Sequence, residues 1–168
     1  VLDRLWAGWR GEYVASASNG GVGEEEGPAC VFCRILDSGL PDEETHILWR
    51  GERTFAILNA YPYTSGHLMV MPLRHVGDLA ALDDDEADEL FRAVRRAHAA
   101  VQAAYSPEGM NVGMNLGRAA GAGVLGHLHM HVLPRWLGDT NFMTSIGEAR
   151  VLPELLETAD RKLREAWA

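Results

Sequence analysis

The stretch HLHMHVLP, residues 127–134, decides the fold. Three of the chain's seven histidines, His127, His129 and His131, alternate there with Leu128, Met130 and Val132. Side chains of a strand point alternately to its two faces, so this pattern predicts a strand. One face carries three imidazoles, roughly 7 Å apart, and the other is apolar. Two chemistries use such a face. Three histidines suit an open zinc site, and one imidazole with oriented neighbours suits nucleophilic catalysis. Alternation alone does not separate them. Four glycines, Gly117, Gly121, Gly123 and Gly126, lead into the strand. Glycine backbones let N–H groups converge on an anion, so the pairing suggests an anion held over a nucleophile.

Working outward, HILWR (46–50) and RTFAIL (53–58) read as a hairpin, joined through Gly51-Glu52. HLMVMP (67–72) is a further strand stopped by Pro72, and NVGMNLG (111–117) is another. Asp83–Glu86 form an acidic start and Arg92, Arg95 and Arg96 follow, the charge order of a helix. Ala87, Leu90, Phe91, Val94, Ala97, Val101 and Ala104 recur at helical spacing and predict its buried face. The acid run is thus a solvated helix start, not a metal site. Residues 153–167 predict a C-terminal helix buried through Leu155, Leu156, Ala159 and Leu163. Strands, one long helix between them and a terminal helix make an α+β domain. Leu2, Leu5, Trp6, Trp9 and Tyr13 suggest a short amphipathic arm, and the Gly-rich acidic run 16–28 a mobile loop. The expected division is an arm and loop over 1–29, a domain over 30–145, and a helix over 146–168 packed on that domain.

The 168 residues can bury roughly 70% of their unfolded surface, enough for one core. Net charge is −9, which argues against a binder of nucleic acid polymers, since these need basic surface. The acidity is peripheral. Residues 111–145 hold Arg118 and Arg135 against Asp139 alone, so a small polyphosphate is compatible with the site. No apolar run approaches a membrane span, and acid, Arg and Trp interrupt the first residues, unlike a signal peptide. A cytoplasmic protein is expected. Cys30 and Cys33 have the spacing of half a zinc site; packing and redox roles are the alternatives.

HLHMHVL (127–133) resembles the signature of the histidine triad (HIT) superfamily of nucleotidyl hydrolases and transferases. TFAILNAYPYTSGHLMVMPLRHV (54–76) is similar to the other half of that fold. LWAGWRGEYV, CVFC and residues 111–143 resemble the bacterial branch that includes diadenosine tetraphosphate phosphorylases. The resemblance implies a HIT-like antiparallel sheet and, by position, a set of roles. His129 would be the nucleophile, His127 and His131 would orient it and touch the phosphate, and His67 would lie beside them. Asn59 would bond the ribose and Asn115 would approach the phosphates. Many relatives carry a hydroxyl residue before the triad. Here Gly121-Ala122-Gly123-Val124 has none, so backbone N–H groups at Gly121 and Gly123 would serve, with room for inorganic phosphate. Cys30, Cys33, His75 and His127 would form a structural zinc site; the chemistry itself would need no cofactor. Trp136 and the residues after it would cover the site or a second subunit, and a homodimer or larger homo-oligomer is implied. The implied reaction is phosphorolysis of diadenosine tetraphosphate to ATP and ADP through a nucleotidyl-histidine. Hydrolysis of an adenosine phosphoramidate or a dinucleoside polyphosphate is the alternative, followed by a three-histidine zinc hydrolase and a non-catalytic nucleotide-binding module.

Overall fold

A computed structural model describes residues 30–140 and 154–167. The arm and loop expected within 1–29, and the stretch 141–153, lie outside the described residues. In chain order come α1 (Val31–Leu36), α2 (Asp42–Thr45), β1 (Ile47–Arg50), β2 (Thr54–Leu58), β3 (Leu68–Pro72) and α3 (Asp84–Tyr105). β4 (Gly109–Met114), β5 (Met130–Arg135) and α4 (Leu156–Ala166) follow. The strands form one antiparallel sheet in the order β1-β2-β3-β5-β4. This is the expected α+β arrangement, with the long helix between strands and a helix at the end.

β2 and β3 are short apolar runs buried at every position, because both faces of the sheet centre are covered. Leu58, Leu68, Val70 and Val132 face α3 and α4. Phe55, Ile57, Met69 and Met71 face the opposite side, where α1 packs. α3 begins at a capping box in which Asp83 accepts from the Glu86 N–H and Glu86 from the Asp83 N–H. Glu86 is itself buried, and Arg74 donates to both its oxygens at 2.8 and 2.7 Å. That pair fixes the helix start to the chain leaving β3, and the guanidinium holds the Glu86 carboxyl down at about 2.

Three details differ from the sequence reading. Phe91 is 62% exposed and Ala87 is exposed, so the buried stripe of α3 is Leu90, Ala93, Val94, Ala97, Ala100 and Val101. Phe91 lines an open hollow with Val94, Arg95, His98 and Val112 of β4. Leu155 precedes α4 and is exposed, whereas Ala159 and Leu163 are buried and Leu156 packs partly buried against the core. The triad strand starts later than its alternation suggests. β5 pairs with β3 only over Met130–Val132, and upstream the Leu128 N–H donates to the Val76 carbonyl. The Pro72 carbonyl that could have extended the ladder accepts instead from the His127 ring, at 2.8 Å.

Candidate functional site

Met69 and His131 are register partners, so the triad side chains fall on the Met69 face, opposite α3. Alternation is kept through residues 127–129 even though the ladder is not. Leu128 and Val132 enter the helix-side core, while His127 and His129 are buried on the α1 side.

Hydrogen bonds assign each ring a tautomer. His129 places Nδ1 2.8 Å from the carbonyl oxygen of His127, so Nδ1 carries the proton and Nε2 keeps its lone pair. That Nε2 makes no hydrogen bond among the described residues. The His67 Nδ1 receives the Tyr63 backbone N–H at 3.2 Å and lies 3.3 Å from the Asn59 side-chain nitrogen. Its proton is therefore on Nε2, which donates to His131 Nδ1 at 2.9 Å. His131 in turn carries its proton on Nε2. The Tyr63 ring stacks on His131 and leans on His67, closing this end of the row. Burial holds His129 below the usual histidine range, and burial with the nearby His129 brings His131 down to about 4. Both rings are neutral at neutral pH.

At the other end, Cys30, Cys33, His75 and His127 gather their ligand atoms within 4.8 Å of one another. Cys33 Sγ lies 3.4 Å from His75 Nδ1 and 3.7 Å from His127 Nδ1, and Cys30 Sγ lies 3.5 Å from His127 Nδ1. Tetrahedral zinc with bonds of about 2.0–2.3 Å separates its ligands by roughly 3.3–3.8 Å, so these residues fit the ion. His127 is also pre-oriented for it. Its Nε2–H is given to Pro72, which leaves the Nδ1 lone pair facing both sulfurs. Burial and the adjacent Cys30 push the Cys33 thiol up to about 11 in the protein alone. A dication would reverse that by taking thiolate ligands.

His127 is expected both beside the phosphate and in the metal group, and its ring faces the metal group. His127 is fully buried, and both ring nitrogens are committed to Pro72 and to the cysteine group. It serves His129 through its backbone carbonyl instead. Asn59 spends its amide within the loop, accepting from the Tyr61 N–H at 2.9 Å and facing His67. Asn115 is half-buried with no side-chain hydrogen bond among the described residues. Gly121 stands at φ +89° and donates its N–H to the Arg118 carbonyl, so it shapes the loop without offering a donor. The Gly123 N–H has no backbone acceptor among the described residues. Gly77 lets this loop approach, since a Cβ there would meet the Leu125 carbonyl oxygen at 2.5 Å. Sequence reasoning missed Tyr63 and Phe32. Phe32 packs on both His127 and His129, and its place between two cysteines was the available signal.

The HIT domain family matches residues 41–136. The chain is 43% identical to the AP-4-A phosphorylase of Mycobacterium tuberculosis over 168 residues, covering 99% of this chain and 85% of that protein. A Zn-bound histidine triad family protein from Mycobacterium smegmatis superposes with a TM-score of 0.66 at 30% identity, over 83% of this chain and 93% of that one. A hypothetical histidine triad nucleotide-binding protein from Sulfolobus tokodaii gives 0.66 at 29% identity, over 82% and 91%.

Proposed function

The chain belongs to the HIT family, and on that footing we propose that it cleaves diadenosine tetraphosphate by phosphorolysis to ATP and ADP. The observation that carries this reading is His129, with Nδ1 tied to a carbonyl and Nε2 unengaged. In the first step Nε2 attacks the α-phosphorus, a P–N bond forms, and the P–O bond to ATP breaks. His131, held as the Nε2–H tautomer by His67, stands to donate a hydrogen bond to a phosphate oxygen as ATP departs as the anion. In the second step an oxygen of inorganic phosphate attacks the nucleotidyl-His129, the P–N bond breaks and ADP leaves. Double displacement replaces one difficult step by two easier ones. Asn115 and the N–H of Gly123 would meet phosphate oxygens, and Asn59 would turn toward the ribose when nucleotide enters. The 43% relative and the absence of a hydroxyl in the Gly121–Val124 turn support phosphate as the acceptor.

Cys30, Cys33, His75 and His127 would hold a structural zinc, which supplies rigidity and not chemistry. Edge strand β4, with Phe91 62% and Val112 43% exposed beside it, would pair with a second copy. No helix among the described residues is long and apolar enough to cross a membrane. A reducing cytoplasm would keep both thiols available.

The test follows labelled diadenosine tetraphosphate with and without phosphate. ADP appearing only with phosphate, and a label trapped on His129, are expected. AMP formed equally without phosphate would make the protein a hydrolase. Binding with no turnover would make it a nucleotide-binding module.

A further inference from the structure

The His129 ring is buried, and one hydrogen bond holds its Nδ1. His131 meets it edge-on with centroids 5.0 Å apart. Among the described residues Phe32 is the other ring against it, 5.5 Å away at 56°, and Phe32 also meets His127 edge-on at 5.4 Å. Phe32 is only 6% exposed. The placement of Phe32 is unusual, because it lies between Cys30 and Cys33. α1 is a helix of six residues whose N-cap, Cys30, makes no side-chain capping bond. The thiols of Cys30 and Cys33 instead point to His127 and His75, so the helix start is fixed by the sulfur–imidazole group.

We propose that Phe32 is a positioning residue for the His129 imidazole, and that the flanking cysteines set its place. The Cys/His group then acts on the triad by two routes. One is the His127 carbonyl on Nδ1, and the other is the Phe32 ring against the imidazole. Displacing a nucleophile by about 1 Å costs on the order of 100-fold in rate, so a ring with one hydrogen bond needs such a wall. Phe32 also keeps water from that side of the ring. The inference rests on His129 being the nucleophile.

The test uses the full chain and single-turnover formation of the nucleotidyl adduct from diadenosine tetraphosphate. Phe32→Ala is expected to slow adduct formation roughly 10–100-fold, with KM within about 3-fold and zinc content unchanged. Phe32→Leu, which keeps an apolar filler and the fold, is expected to fall between. Cys33→Ser is expected to slow the same step, and the Cys33→Ser, Phe32→Ala double variant to lose little more than the worse single one, since both act through one ring. Wild-type adduct rates in both Phe32 variants would overturn the proposal, and so would losses that multiply in the double variant. His129→Ala separates the two readings: an adduct formed without His129 sinks the mechanism itself, whereas its loss beside normal Phe32 variants sinks only the positioning role.

Discussion

The two faces of the sheet are filled with different matter. Under α3 and α4 the interior is aliphatic, built from Leu58, Leu68, Val70, Leu90, Val101 and Val132. Under α1 it contains Cys30, Phe32 and Met69, and beside them buried imidazoles. Aliphatic burial is non-directional and tolerates small shifts. A hydrogen bond to an imidazole nitrogen is directional, so each partner fixes a tautomer and an orientation. Both faces bury apolar side chains, Phe55, Ile57 and Met71 among them on the α1 side, and only the α1 face adds buried imidazoles that place a lone pair.

Substitutions should separate the two. His129→Ala is expected to lower turnover of diadenosine tetraphosphate by at least about 10,000-fold, with the thermal midpoint little changed. Leu90→Ala on the helix side should do the reverse. It is expected to cost about 2–4 kcal/mol in denaturant unfolding, while kcat of the folded protein stays within about 2-fold. A comparable loss of kcat there would break the division between the faces. His67→Leu should be intermediate. It removes the donor to His131 Nδ1, and adduct formation is expected to fall roughly 10–100-fold, with the metal content unchanged.

The smallest effect is the pH response. His131 is held down at about 4 in the fold, against an ordinary value near 6.5 in the unfolded chain. It therefore stays neutral as pH falls from 8 to 6, and a single-turnover rate that changes by less than about 2-fold over that range is expected. The unfolded chain takes the proton first. Its binding makes stability fall as pH drops through the window from about 6.5 to about 4. A rate that halves near pH 6.5 would show that the imidazoles are not desolvated as described.

Much of this division was legible in the chain. The period of two over 127–133 and the apolar runs at 54–58 and 68–72 gave strands and faces, and the heptad-like stripe of 90–101 gave the helix. Misread were Phe91, whose burial depends on what lies beside an edge strand, and Leu155, which falls one residue before its helix. In the site, the shared face of the triad and the gathering of Cys30, Cys33, His75 and His127 were expected from the sequence. The hydrogen bond that orients the His127 ring was not, since it depends on Pro72, which is 55 residues away. Phe32 was passed over because a phenylalanine in an apolar run signals only burial.

The order of residues along the chain is enough to set the strand pattern, the side on which the imidazoles fall, and the residue types able to form a phosphoramidate or hold a metal. These follow from local geometry, the fixed alternation of a strand and the chemistry of each side chain. The fold settles which nitrogen of each ring carries the proton. It brings the Pro72 and His127 carbonyls, the Tyr63 N–H and the cysteine sulfurs to particular ring atoms. A tautomer is set by what each nitrogen touches: the His127 carbonyl and the Tyr63 N–H act locally on His129 and His67, whereas Pro72 and Cys30 reach His127 from far along the chain.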